Sequence, residues 1–289
     1  MKLEIKNLSK KFDKKEIFKN VDFSLDSGEI LALIGRNGSG KTTLLKILVE
    51  IIEKNSGEIS IDGVNIYNNP NLKQEIIYIP DRFDYFPHTK IKKIINYYKI
   101  IYPKFDENYV TENLAKNKIN INKKMSELSK GESALAALII GLGCNTSFIF
   151  LDEPLDGIDV ININKVIDYI LDAQEKNVGL IISSHQLNYL SKISNKVFYI
   201  EKESVSDNSK EIKLENYKKY QLVYKENIPD ELLNNTNVLL INSIGRVYTI
   251  LVEVTDDFSE DELLKEALQY DEISVTLEDI FIFKNKGGN

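Results

Sequence analysis

The chain has 289 residues, 43% of them hydrophobic and 28% charged, the composition of an ordinary globular protein long enough for one large domain and a smaller appendix. Its formal charge of −7 argues against a nucleic-acid partner, whose phosphates call for a basic surface. The one cysteine, Cys144, excludes an intramolecular disulfide, and the longest uncharged apolar run, Ala134 to Cys144, is too short to span a bilayer and reads as a buried helix.

The start, MKLEIKNLSKKF, breaks its apolar residues with lysines and does not read as a secretory signal. Alternation predicts strands at Lys2–Lys6 and Val21–Leu25. The continuous apolar run Ile30–Ile34 predicts a strand buried on both faces. Leu44, Leu45, Ile47, Leu48 and Ile51 give helical spacing from Lys41 onward. Further strands are expected at Ile59–Ile61 and Ile76–Ile79. Residues 90–117 read as helical, with Ile91, Ile94, Ile95, Tyr98 and Ile101 on one stripe. Phe148–Leu151 and Gly179–Ser183 read as buried strands on either side of a helix over Asp159–Lys176. Alternating strands and helices predict a mostly parallel sheet covered on both faces. Near Val205 the texture becomes polar. Beyond it come strand-like Tyr220–Tyr224, Val238–Asn242 and Val247–Val254, a helix-like Glu260–Gln269, and a closing Ile273–Phe283. Residues 201–289 carry a net charge of −9, against +2 for residues 1–200. The boundary therefore separates two chemically different parts.

Between the strand Ile30–Ile34 and its following helix lies Gly35-Arg36-Asn37-Gly38-Ser39-Gly40-Lys41-Thr42. This is the Walker A pattern, G-x-x-x-x-G-K-[ST], in the context that the motif requires. The glycines let the backbone approach a phosphate, and successive N–H groups at the helix start face it along the favourable end of the dipole. Lys41 brings a point charge to the β- and γ-phosphates, and Thr42 a hydroxyl suited to Mg²⁺. By itself the loop predicts a nucleoside triphosphate and no particular reaction.

Downstream, Leu128-Ser129-Lys130-Gly131-Glu132 resembles the LSGGQ signature of ATP-binding cassette (ABC) proteins. Phe148–Leu151, Asp152, Glu153 and Pro154 resemble Walker B followed by that family's glutamate. Leu155-Asp156-Gly157-Ile158-Asp159 resembles the D-loop, and Ile182-Ser183-Ser184-His185 the segment of the switch histidine. The resemblance covers about residues 1–204 and implies an α/β P-loop NTPase fold of the ABC ATPase type. That fold has a mixed sheet core and a helical subdomain over about 82–145, here followed by a small α/β accessory domain over residues 205–289. It implies ATP and Mg²⁺ as ligands. Gly35, Arg36, Asn37, Gly38, Ser39, Gly40, Lys41, Thr42 and Thr43 would cradle the phosphates. Phe12 would stack on adenine, which needs only a ring face. Thr42, Asp81 and Asp152 would face the metal, Glu153 would act as general base, and His185 would contact the γ-phosphate and orient Glu153. Ser129 and Gly131 would reach the nucleotide of a second ATP-binding subunit, in a homodimer or heterodimer. Ser129 and Glu132 also form an S-x-x-E capping box, a plain helix start for residues 130–144 compatible with that role. His88 has no partner motif and reads as a surface loop residue.

The sequence departs from the family pattern at Asp81, where a glutamine is expected, at Lys130 for glycine, at Glu132 for glutamine, and in lacking an arginine after the signature. With Lys41, Asp152, Glu153 and His185 in place, ATP hydrolysis is expected. The resemblance further implies a peripheral, cytoplasmic subunit on the inner face of the membrane, bound to a separate polytopic membrane subunit. The aromatics Phe83, Tyr85, Phe86, Tyr97, Tyr98, Tyr102 and Phe105 either receive that subunit or fill the helical subdomain's own core. The ending Ser274-Val275-Thr276-Leu277-Glu278-Asp279-Ile280-Phe281 resembles that of bacterial ABC exporter ATPases and tilts the reading to export. The rival reading is a non-transport ABC ATPase with a regulatory or nucleic-acid and ribosome role. One cassette, no heptad run and a negative charge oppose the nucleic-acid variant.

Overall fold

The computed structural model describes residues 1–83, 85–185, 187–200, 210–211, 214–255 and 267–284. The chain divides into two compact units, residues 1–186 with 193–211 and residues 187–192 with 212–289.

The three apolar runs of the first unit become β3 (Ile30–Ile34), β7 (Phe148–Asp152) and β8 (Gly179–Ser183), buried at every residue. They lie in a six-stranded sheet of order β10 (Lys210–Glu211), β9 (Lys196–Tyr199), β3, β8, β7, β6 (Ile76–Ile79). All pairs are parallel except β10 with β9. A second, antiparallel sheet has the order β2 (Lys15–Asp26), β1 (Lys2–Phe12), β4 (Ser56–Ile61), β5 (Val64–Asn65). β1 and β2 run well beyond the alternating stretches of the sequence. Their ladder shifts register between Ile5 and Leu8 and again near Lys10. Such bulges interrupt the side-chain period while backbone pairing continues.

Helix α1 (Lys41–Leu48) buries Leu44, Leu45, Ile47 and Leu48. They join one core with Leu3, Ile5, Leu8, Val21 and Leu25 of the antiparallel sheet and Leu31, Leu33, Phe148, Phe150 and Ile181 of the parallel one. Alternate residues of β3 and β7 thus face α1, as the two-residue period of a strand requires. Short α2 (Pro70–Lys73) precedes β6. The predicted helix over 90–117 is two, α3 (Ile91–Ile101) and α4 (Glu107–Lys116). Pro103 falls between them, and Asp106 caps the second through a bond from Tyr109 N to Oδ1 of 2.9 Å. Ile91, Ile94 and Ile95 are buried, but Ile101 at the end of α3 is 55% exposed, so the stripe stops a turn short of its predicted end.

Of the seven aromatics only Phe83 is buried, and Phe86, Tyr97, Tyr98, Tyr102 and Phe105 are half-buried. Phe83 lies within 6.4 Å of both Phe86 and Tyr98, Phe86 meets Tyr97, and Tyr98 stacks on Tyr102. Tyr85 stands outside this ladder, 58% exposed. The run Ala134–Cys144 falls largely in α5 (Lys130–Leu142), which packs on α6 (Val160–Glu175). Then come α7 (Leu187–Ile193) and β9.

The second unit is built on a four-stranded antiparallel sheet of order β12 (Val238–Ile244), β13 (Val247–Glu253), β11 (Tyr217–Val223), β14 (Gln269–Ile273). Tyr220, Leu222, Ile250 and Val252 form one small core, and Tyr217, Leu251, Ile280 and Phe283 another. Short α8 (Asp230–Leu233) precedes β12. Most of the expected helix over Glu260–Gln269 lies outside the described residues, as does the boundary at Val205. Gln269 itself opens β14. The closing stretch from Ile273 divides into the end of β14 and helix α9 (Leu277–Lys284). Thr276 and Asp279 cap α9 reciprocally, Thr276 N donating to Asp279 Oδ2 and Asp279 N to Thr276 Oγ1. Among the described residues no helix is long and apolar enough to cross a membrane.

Candidate active site

β3, β8 and β7 are neighbours and parallel, so their carboxyl ends, where open α/β sheets bind ligands, fall on one edge. After β3 the chain turns through the Gly35–Thr42 loop into α1. Gly40 takes φ +108°, and a Cβ there would stand 2.6 Å from Ile17 Cγ2. Glycine is therefore required twice over, for backbone angle and for space. A cavity of about 370 Å³ opens beside the loop, lined by Ile17, Asn37, Gly38, Ser39, Gly40, Lys41, Thr42, Thr43 and Glu153. Lys41 is 6% exposed, its Nζ donating to Gly35 O at 2.9 Å and lying 3.5 Å from Glu153 Oε1. Arg36 accepts a turn bond from Ser39 N. The Ser39 hydroxyl is buried without a hydrogen-bond partner.

Asp152, at the end of β7, is 4% exposed. Three hydroxyls hold its carboxylate. Ser183 donates to Oδ1 at 2.7 Å, Thr42 to Oδ1 at 3.1 Å and Tyr78 to Oδ2 at 2.9 Å. Burial, then the Asp152 charge, raises the Tyr78 phenol far above its usual value, so it stays a donor. The sequence reading had not singled out Tyr78, or Ser183 as a ligand of Asp152. The signal for Ser183 was present, since parallel pairing sets Asp152 opposite Ser183.

Glu153 follows at φ +48°, uncommon for a residue with a Cβ and tolerated where the surroundings over-determine it. Its N–H is held by both Ser183 O and Ser183 Oγ at 3.0 Å. Its Oε2 accepts from His185 N at 3.1 Å and faces His185 Nδ1 at 2.9 Å, while Oε1 points to Lys41. His185 Nε2 lies 3.3 Å from Asp156 Oδ1. Asp156 Oδ2 accepts from Lys130 at 2.8 Å, and that hydrogen bond holds its carboxyl below the usual range.

The other expected site residues sit elsewhere. Asp81 pairs with Lys130, its Oδ1 3.8 Å from Nζ, instead of joining Thr42 and Asp152. Burial raises its carboxyl above the ordinary value, against the pull of Lys130. Ser129 and Glu132 close the expected capping box, and the Ser129 backbone bond lowers the Glu132 carboxyl. Neither Ser129 nor Gly131 lines the cavity of its own chain. Phe12 does not line it either. Its ring is 44% exposed with Lys10 Nζ 4.5 Å from the centroid, and Ile17 takes the place beside the loop. Among the described residues no three His, Cys, Asp or Glu side chains form a metal cluster. Thr42 Oγ1 and Asp152 Oδ1 nonetheless present two adjacent hard oxygens. That suits Mg²⁺, which usually takes one or two carboxylates plus substrate phosphates and waters.

A phosphate loop, a strand-end Asp-Glu pair and a histidine on the glutamate define a P-loop ATPase site. The family model described as ABC transporter matches residues 18–156. The chain is 33% identical over 290 residues to the ABC transporter ATP-binding protein YtrB of Bacillus subtilis (strain 168), covering 99% of this chain and 98% of that one. It is 30% identical over 206 residues to the ABC transporter ATP-binding protein MJ1023 of Methanocaldococcus jannaschii, covering 70% and 74%. Its fold matches the dimeric post-hydrolysis structure of the cassette MJ0796 bound to ADP and Pi, with a TM-score of 0.62 at 21% identity, covering 73% of this chain and 98% of that one. The chain therefore belongs to the ATP-binding proteins of ABC transporters. It is an ABC ATPase, whose ATP hydrolysis drives transport.

Proposed function

We propose that this subunit powers a separately encoded polytopic membrane subunit, in export, through ATP-driven pairing with a second ATP-binding subunit. The observation that carries the reaction is the placement of Glu153. One carboxylate oxygen is anchored by His185, the other lies 3.5 Å from Lys41 Nζ, and both Glu153 and Lys41 line the cavity. The loop N–H groups and Lys41 bind and orient the terminal phosphates. Water attacks the γ-phosphorus, its proton passes to Glu153 Oε1, the bond to the β-phosphate oxygen breaks, and ADP leaves with the electron pair. His185 and Ser183 hold Glu153 in register for this transfer. Thr42 and Asp152 would hold Mg²⁺, which when bound neutralises charge on the phosphate oxygens.

Pairing is supported by Ser129 and Gly131, which lie off the chain's own cavity, and by the cassette MJ0796, described as dimeric. A membrane partner is supported by the name of YtrB and by Tyr85, exposed beside a cavity of about 240 Å³ that it lines with Leu48, Ile51, Tyr98 and Tyr102. Export rests on the ending Ser274–Phe281. Glu153→Gln tests the mechanism. It is expected to bind ATP normally, to hydrolyse it roughly 10²-fold or more slowly, and to accumulate as an ATP-bound dimer. Turnover at the parental rate would remove Glu153 from the reaction. Copurification of a polytopic membrane protein, and the direction of transport in inside-out vesicles, test the rest.

A further inference from the structure

Lys130 and Asp81, two departures from the family pattern, meet in the structure. Lys130 opens α5, and its ammonium stands between two carboxylates, 2.8 Å from Asp156 Oδ2 and 3.8 Å from Asp81 Oδ1. The seat is shaped for it. Gly157 takes φ +62°, and a Cβ there would lie 2.8 Å from Lys130 Nζ. From this ammonium a relay of alternating groups runs to the reacting end. Asp156 uses Oδ2 for Lys130 and Oδ1 for His185 Nε2, at 3.3 Å. His185 turns Nδ1 to Glu153 Oε2 at 2.9 Å, and Glu153 Oε1 faces Lys41 Nζ at 3.5 Å beside the cavity that both residues line. Each carboxylate thus spends a separate oxygen on each neighbour, so the order of groups is fixed in space.

We propose that Lys130 is a positioning residue for ATP hydrolysis, fixing the Glu153 carboxylate through Asp156 and His185. The inference rests on the reading of Glu153 as general base. Without the ammonium, Asp156 loses the hydrogen bond that orients it, and only the weaker attraction of His185 and Arg82 remains against the like charge of Asp81. Asp156 can then turn both oxygens to the imidazole, and His185 no longer holds Glu153 from a fixed place. Lys130 does not line the cavity of its own chain, and Ser129 and Gly131 remain to meet the nucleotide of a second subunit, so its removal is expected to leave KM for ATP unchanged and to slow the chemical step.

The test is steady-state ATP hydrolysis by the full chain carrying Lys130→Ala, Lys130→Arg, Asp156→Asn, and Lys130→Ala with Asp156→Asn, each checked for folding by its thermal melt. Lys130→Ala is expected to lower kcat roughly 10-fold with KM for ATP unchanged, the scale on which outer partners of reacting groups act. Lys130→Arg keeps the charge and most of the rate. Asp156→Asn matches Lys130→Ala, and the double variant is no slower than either, because both break one relay. A raised KM at unchanged kcat would mean that Lys130 binds nucleotide, and would overturn the proposal. So would a parental kcat in Lys130→Ala, or losses that multiply in the double variant. A parental rate in Glu153→Gln would instead refute the general base. Loss in Glu153→Gln with none in Lys130→Ala refutes only the relay.

Discussion

Ser183→Ala removes one oxygen from the floor of the site. Ser183 has no exposed surface. Its hydroxyl donates to Asp152 Oδ1 at 2.7 Å and accepts from Glu153 N at 3.0 Å. A hydrogen bond to a charged group contributes about 1.5–3 kcal/mol. The second bond matters less, because Glu153 N keeps Ser183 O at 3.0 Å. Thr42 and Tyr78 remain on the carboxylate, so the charge is weakened in support and not stranded. The expected loss is about 2 kcal/mol, which in a unit of this size lowers Tm by about 4–8 °C. Differential scanning calorimetry measures it, with Thr146→Val as the reference. Thr146 is equally buried, and its hydroxyl makes a neutral bond to Phe148 O at 3.1 Å, a loss of about 1 kcal/mol. If Ser183→Ala melts no lower than Thr146→Val, the hydroxyl does not support the charge, and the account of Asp152 fails.

Gly40→Ala must place a Cβ against Ile17 at φ +108°. Strain of about 1–3 kcal/mol should move the loop and weaken ATP binding by roughly 10-fold or more, read by titration calorimetry. Unchanged affinity would show that the loop tolerates the shift. In the second unit, Lys219→Met strips Asp279, 5% exposed, of the ammonium that bonds both its oxygens at 2.8 and 2.9 Å. Breaking one side of a buried pair costs about 3 kcal/mol, partly offset here by the bonds from Thr276. Urea unfolding should show a loss of about 2 kcal/mol. A loss under half that would show the carboxylate to be held by Thr276 alone.

The sequence determined the parts whose physics is local. Ile30–Ile34, Phe148–Leu151 and Gly179–Ser183 could only be strands buried on both faces. A glycine loop between strand and helix could hardly be anything but a phosphate cradle, and Ser129 with Glu132 could be read as a helix cap. Those elements also carried the family, because the Asp-Glu pair and His185 each follow a buried strand. What needed tertiary structure was every relation across the sheet and between subdomains. The hydroxyl of Tyr78 reaches Asp152 only because β6 pairs with β7. Phe83 points into a ring ladder and Tyr85 away from it, although two residues apart they look alike in the sequence. Asp81 and Lys130 read singly as two blemishes on a known pattern. They are one ion cluster because the end of β6, the start of α5 and the turn at Asp156 converge, and charges so far apart in sequence have no local signal by which they could have been paired.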